Sequence, residues 1–242
     1  MLRKIFFSIL ILSSIVLAQS TSDSNKVTQQ VWLDYNPDWY FSKNFTLSGQ
    51  AGVRIDQPTT WKKYLLGSKI RYAPSSLFNF LNKLQQEAVG GFTFFYTQNN
   101  GKPNQFEARP YQGYRLNWPN VKNLKVRHYL RLEERFEFIE GHNGSDFELR
   151  ARYQIEATIH WTKHLVDFAD GVYIPISVEF FSNLYSTKQY NNGIRFTPGV
   201  GFAEENRWKI ELDVSYQFSK HEEESYFSKN TIIYRLRFYQ SI

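Results

Sequence analysis

The stretch Phe147-Glu148-Leu149-Arg150-Ala151-Arg152-Tyr153-Gln154-Ile155-Glu156-Ala157-Thr158-Ile159-His160-Trp161 decides the fold class. Its odd-numbered positions are all apolar and its even-numbered positions all polar, so an extended chain carries one greasy face and one charged face. A helix would bring Arg150 and Tyr153 to one side, whereas a strand sends them to opposite sides. Strands in globular sheets run to about five or six residues. A tilted strand crossing a bilayer needs about 9 to 11, so the length of this one points to a membrane.

The same alternation recurs on both sides of it. Phe45, Leu47, Ala51, Val53 and Ile55 oppose Thr46, Ser48, Gln50 and Arg54, and Tyr64, Leu66, Ile70 and Tyr72 oppose Lys63, Lys69 and Arg71. Ala88, Phe92, Phe94 and Tyr96 oppose Gln85, Glu87 and Thr93; Phe106, Ala108, Tyr114, Leu116 and Trp118 oppose Glu107, Arg109, Arg115 and Asn117. Near the end, Trp208 to Phe218 alternates with Arg207 to Gln217, and Ile232, Tyr234, Leu236 and Phe238 oppose Thr231, Arg235 and Arg237. Less regular strands are expected near 27–35, 124–138, 172–184 and 192–203. Connections at 119–123 and 203–206 are short, while those at 99–104, 139–146, 185–190 and 220–230 are polar and mostly longer. That asymmetry matches periplasmic turns and outward loops, and Trp118, Trp161, Trp208 and Tyr234 near strand ends suit interfacial girdles.

Composition narrows the class. The 242 residues include 21 Phe, 16 Tyr and 6 Trp against 13 Gly and 8 Pro, which excludes a disordered chain. A mean hydropathy of -0.50 excludes a polytopic helical membrane protein. Arg3 and Lys4 precede an uncharged run from Ile5 to Leu17, and Val16-Leu17-Ala18 fits a small-residue cleavage rule, so residues 1–18 read as an export signal. Its apolar core is too short for a spanning helix of about 20 residues. The mature chain is expected to begin near Gln19. The formal charge of +6 falls to +4 without Arg3 and Lys4, a mild surplus that calls for no nucleic-acid partner. Without cysteine there is neither a disulfide framework nor a lipid-modified N-terminal Cys. No nucleotide fingerprint, zinc quartet or Gly-rich phosphate loop is present, and no cofactor is expected.

The predicted fold is therefore all-β: an antiparallel, up-and-down transmembrane β-barrel occupying residues 19–242, monomeric, with outer-membrane lipid around it and barrel-assembly machinery as its partner during insertion. A soluble periplasmic ligand-binding barrel is the alternative, because it alternates too but hides its apolar face inside. The pattern yields eleven candidate strands, and a chain with both ends in the periplasm needs an even number. Ten strands are expected, with 27–35 as a partial strand or plug within 19–44; twelve is the alternative. Residues 75–87 and 162–170 each have room to include a short periplasmic helix before the next strand. His128 and Glu134 share parity with Leu124, Leu130, Leu132 and Phe136. A charge at mid-membrane costs roughly 2 to 4 kcal/mol, so Glu134 is expected near the outer rim or beyond a bulge, and His128 neutral near the inner boundary.

Three segments carry a resemblance: Gln30-Val31-Trp32-Leu33-Asp34-Tyr35, Leu130-Arg131-Leu132-Glu133-Glu134-Arg135-Phe136 and Trp208-Lys209-Ile210-Glu211-Leu212-Asp213. The chain is similar to an uncharacterised outer-membrane β-barrel family of Gram-negative bacteria, a domain of unknown function, over essentially the whole mature length. The resemblance implies an outer-membrane location and no established activity, so it transfers no catalytic residue. The usual aromatic-ended insertion signal is altered, since Tyr234, Leu236 and Phe238 are followed by Gln240 and Ile242.

The inner face supplies the candidate site. Arg127, Arg131, Glu133, Arg135 and Glu137 on one strand face Glu148, Arg150, Arg152 and Glu156 on its hairpin partner, with Arg109 and Arg115 on the strand before. Cross-strand pairs of opposite charge contribute about 0.2 to 1 kcal/mol each. This ladder most simply fills a narrow lumen with salt bridges; its surplus of Arg and Lys also suits a constriction that selects small anions. A small envelope enzyme acting on lipid is the runner-up, with His142-Asn143-Gly144-Ser145-Asp146 as the nearest constellation, although Asn-Gly most simply marks a hairpin tip. His160, His164, Asp167 and Asp170 near one turn, and His221 beside Glu222, Glu223 and Glu224, read as solvated polar groups before they read as metal ligands.

Overall fold

The computed structural model describes residues 27–75, 77–78, 84–160, 171–185, 192–204, 207–220 and 229–242. Eleven strands follow one another: β1 (Thr28–Tyr40), β2 (Phe45–Gln57), β3 (Trp61–Tyr72), β4 (Gln85–Asn99), β5 (Gln105–Val121), β6 (Leu124–Ile139), β7 (Asp146–His160), β8 (Val172–Tyr185), β9 (Asn192–Glu204), β10 (Trp208–Lys220) and β11 (Lys229–Ser241). They close into one barrel in which each strand pairs with its sequence neighbours in antiparallel register, and β1 closes onto β11. Trp161, the expected last residue of β7, lies outside the described residues, as do residues 1–18 and 162–170.

Period-two alternation becomes a two-sided wall. On β6, Tyr129, Glu133, Arg135 and Glu137 are buried toward the axis while Leu130 and Phe138 are exposed outside. Glu133 has 0% of its surface exposed and Asp213 1%, against 65% for Leu66 and 55% for Leu130. A water-soluble barrel has the reverse arrangement, because burying apolar surface is what drives its folding. Rings line up around the outside in two belts. Near the rim where β1 begins, the rings of Phe106 and Phe138 lie 6.1 Å apart, and those of Phe147 and Tyr185 also 6.1 Å. Near the rim where β11 ends, Phe202–Trp208 and Trp208–Phe238 lie 5.6 and 6.4 Å apart.

The expected strand number, ten or twelve, is wrong: there are eleven. Residues 28–40 are a full wall strand, neither partial nor a plug. The parity rule assumes that first and last strands meet antiparallel. Here they run parallel, from Thr28 opposite Thr231 to Asp38 opposite Ser241, so the two chain ends sit on opposite rims and an odd number closes without a free edge. Side chains fasten this seam on both faces. Inside, Arg235 Nε donates to Asp34 Oδ2 at 2.5 Å; outside, Tyr35 Oη donates to Gln240 Oε1 at 2.7 Å and its ring stacks on Phe238 at 5.9 Å.

Of the segment expected to include a short helix before β4, residues 76 and 79–83 lie outside the described residues. Gln85, Gln86 and Glu87 begin β4, and the described residues before them form bends. Phe78 folds back, its amide donating to Gln86 Oε1 at 3.1 Å, with its ring edge-on to Tyr114 at 5.4 Å. The connections at 100–104 and 140–145 lie on the rim where β1 begins, as do the ends of β8 and β10 and the starts of β9 and β11, and the tight turn at 122–123 lies on the other. His128 sits toward the second rim, with Nδ1 2.9 Å from Tyr153 Oη and Nε2 2.9 Å from the Trp118 carbonyl. Glu134 pairs with Leu149, where β8 inserts Leu184 as an extra residue before register resumes at Arg150 and Asn183.

Candidate functional site

All eleven ladder residues share the inward parity of their strands. Register sets the charges against one another: Glu133 faces Arg150, Arg135 faces Glu148 and Arg127 faces Glu156, while Arg131 and Arg152 face each other. Glu133 resolves that like-charge step. Its carboxylate lies 2.5 Å from Arg150 Nη2, 2.7 Å from Arg152 Nη1, 2.5 Å from Arg131 Nη2 and 3.8 Å from Arg109 Nη1. Four guanidinium groups from β5, β6 and β7 therefore converge on one fully buried carboxylate. Arg135 lies 2.6 Å from Glu107 and 3.3 Å from Glu148, Arg115 3.4 Å from Glu87, and Arg127 2.6 Å from Glu156. Glu137 is buried at the end of the ladder, opposite Asp146.

The network continues on strands where the sequence reading nominated nothing. Glu179 on β8 pairs with Arg152 and Arg195, Asp34 with Arg235, and Arg237 with Glu211 and Asp213 at 2.8 and 2.6 Å. Arg54, Lys63, Lys69, Arg71, Arg195, Arg235 and Arg237 were all legible by the same alternation, carried onto β2, β3, β9 and β11. Less legible was a set of inward rings. Trp32 has Arg54, Arg195 and Arg235 within 4.0, 5.2 and 5.4 Å of its centroid; Phe181 has Arg150, Arg152 and Arg195 within 5.4, 4.9 and 5.0 Å. Phe95 carries Arg109 at 4.3 Å. Such contacts hold a cation at about 0.5 to 2 kcal/mol without neutralising it. An apolar residue at a polar parity position was the available signal.

One cavity of about 970 Å³ occupies the lumen, lined near one rim by Trp61, Thr231 and Ser219 and near the other by Lys125, His160 and Lys209. Glycines shape it. Gly91 lies opposite Tyr111 and Gly201 opposite Tyr173, and a Cβ at either would collide with the facing ring, so glycine lets the ring lie against the wall. Sixteen Lys or Arg side chains border the cavity against five Asp or Glu. Low-dielectric walls focus such a field and concentrate counter-ions of the opposite sign.

A family profile described as "Protein of unknown function (DUF2490)" matches residues 29–228, from the second residue of β1 to the end of the β10–β11 connection. The chain belongs to this family. No curated protein and no solved structure matches it. The DUF2490 match spans the entire ion-pair network up to β10, and its description assigns no activity to any residue.

The remaining candidates do not assemble. His142 and Ser145 lie on the exposed loop between β6 and β7, where Gly141 and Gly144 adopt φ of 79° and 119°, and no side-chain hydrogen bond joins the two. His160 ends β7 with its ring 6.1 Å from Tyr173; His164, Asp167 and Asp170 lie outside the described residues, as do His221, Glu222, Glu223 and Glu224. Among the described residues, no group of three or more His, Asp or Glu side chains is placed to hold a metal ion.

Proposed function

We propose that this DUF2490 chain is exported and spans the outer membrane of a Gram-negative envelope as a monomeric eleven-stranded barrel whose lumen admits small anions. The outward Leu, Phe and Tyr rows and the two aromatic belts support the membrane placement, because they match a hydrocarbon band between interfaces. The observation that carries the anion reading is a surplus of cations on the inner face: sixteen Lys or Arg and five Asp or Glu border the cavity, and adding Asp34, Glu87, Glu107, Glu148 and Asp213, which pair with those arginines, brings the acids to ten. Rings of Arg and Lys select anions by the same field that concentrates them. With Ile242 on the periplasmic rim, the connections at 100–104 and 140–145 face outward.

A second reading has its own support. Eleven of the twelve arginines bordering the cavity are paired with carboxylates, which favours a barrel whose filled interior serves rigidity or assembly. One measurement separates the two. The purified chain, reconstituted in a planar bilayer under a potassium chloride gradient, is expected to give steady channels with a reversal potential on the chloride side. Lys69→Glu, which removes one uncompensated luminal cation and adds an anion, is expected to move that potential toward zero. A folded, inserted barrel with no steady conductance would leave the filled-barrel reading in its place.

A further inference from the structure

Arg54 is the exception among the luminal arginines: no carboxylate lies within 4.0 Å of it among the described residues. Lys63 stands directly across the β2–β3 ladder from it and has none either. Two like charges opposed on one face of a sheet destabilise it, and the acids on adjacent strands are directed to other partners, although Asp34 Oδ1 and Glu107 Oε2 accept no hydrogen bond. Asp34 accepts from Arg235 at 2.5 Å, Asp56 accepts from Thr60 Oγ1 at 2.5 Å, and Glu107 pairs with Arg109 at 2.7 Å and Arg135 at 2.6 Å.

Aromatic rings hold the two cations where they are. The Arg54 guanidinium carbon lies 4.0 Å from the Trp32 centroid and 5.2 Å from that of Phe95, and Lys63 Nζ lies 5.8 Å from Phe95. Trp32 is itself anchored, its Nε1 donating to Gln30 Oε1 at 2.9 Å. A guanidinium stacked by its face keeps its N–H fork free in the plane of the group. Arg54 Nε is buried and has no acceptor. The pair thus presents two cations with no carboxylate within 4.0 Å among the described residues, one a planar fork and one a point donor, at the wall of the luminal cavity.

We propose that Arg54 and Lys63 form a binding site for a phosphate group, either free phosphate or the phosphate of a small monoester. Two cations match the two negative charges of that group, and charge-assisted hydrogen bonds from a fork and an ammonium match its tetrahedral oxygens better than they match a bare halide. The site relies on the proposed function only for an accessible lumen; binding does not require that anything pass through.

The experiment is calorimetric titration of the full-length barrel in detergent with inorganic phosphate and, separately, with glycerol 3-phosphate, in a chloride background. Saturable binding of one or both is expected, and the tighter of the two identifies the source of the phosphate. Arg54→Gln with Lys63→Gln is expected to weaken it by about tenfold or more, the effect of losing charged hydrogen bonds. Lys69→Gln, six positions along β3 and roughly 20 Å away, is expected to leave it within about twofold. A thermal midpoint gives an independent readout. Phosphate raises it for the native chain by mass action, and the double variant has a higher midpoint in phosphate-free buffer but no phosphate-dependent rise. Absence of binding by either ligand, or equal loss in the Lys69 variant, would overturn the site. Channels without phosphate binding would remove this site and leave the anion conduit standing; binding without channels would do the opposite.

Discussion

Glu133→Ala is expected to destabilise the barrel by about 3 to 5 kcal/mol, the cost of stranding buried charge after one partner is removed. Its carboxylate is fully buried and lies within 4.0 Å of four guanidinium groups. Removing it affects them unequally. Arg152 keeps Glu179 and Arg109 keeps Glu107. Arg131 and Arg150 keep only rings, Arg131 over Tyr111 at 4.9 Å and Arg150 over Phe181 at 5.4 Å, and no other carboxylate among the described residues. The direct-register contact between Arg131 and Arg152 then also becomes repulsive. Glu156→Ala is the internal comparison, in the same ladder with a single partner, Arg127, whose side chain is 38% exposed; about 1 kcal/mol or less is expected there. The check is the urea midpoint of the folded barrel in lipid vesicles for both variants. Equal, small effects would mean that luminal water screens the network and that Glu133 is not its hub.

Leu66→Arg is expected to cost about 2 to 4 kcal/mol in the same vesicles, the depth-dependent penalty for a cation on the lipid face at mid-span. Leu66 is the sixth residue of the twelve in β3, between Ala51 and Phe94 on the neighbouring strands, and 65% of its surface is exposed. Exposure is what gives the substitution its diagnostic value. In a water-soluble barrel an exposed Leu→Arg change costs little, within about 0.5 kcal/mol. Val121→Arg, at the end of β5 and 57% exposed, separates depth from chemistry, because the same charge near an interface costs about 0 to 1 kcal/mol. A Leu66 variant as stable as the native chain would argue that no hydrocarbon surrounds β3.

The wall was legible wherever alternation was strict. From Phe147 to His160, the identity of each residue alone indicates which face it takes, because a one-residue slip would reverse every side chain. The strand number was not legible, and the reason is specific. Residues 27–35 alternate well enough, with Val31, Leu33 and Tyr35 outside and Asp34 inside, yet a counting rule that presumes antiparallel closure demoted them. Pairing direction between the first and last strands is a long-range property, fixed by contacts such as Arg235 to Asp34 across two hundred and one positions. The charged faces of β6 and β7 could be set beside each other because consecutive strands of an up-and-down barrel pair as a hairpin. The convergence of Arg195 on Trp32 could not, since it depends on how far the closed barrel brings β9 toward β1. The aromatic rings on the inner face were visible only as breaks in the alternation, and nothing local distinguishes a break from noise.

The direction in which the apolar rows point is the premise on which location and anion selection both stand. Because the chain contains no cysteine, Leu66→Cys introduces a single labelling site. A fluorophore there, with the barrel in vesicles, is expected to be quenched by nitroxide carried on lipid tails and to be shielded from aqueous iodide, while one at Thr93→Cys, on the inward face of β4, responds to iodide alone. Quenching of the Leu66 label by iodide and not by lipid nitroxide would contradict the membrane placement.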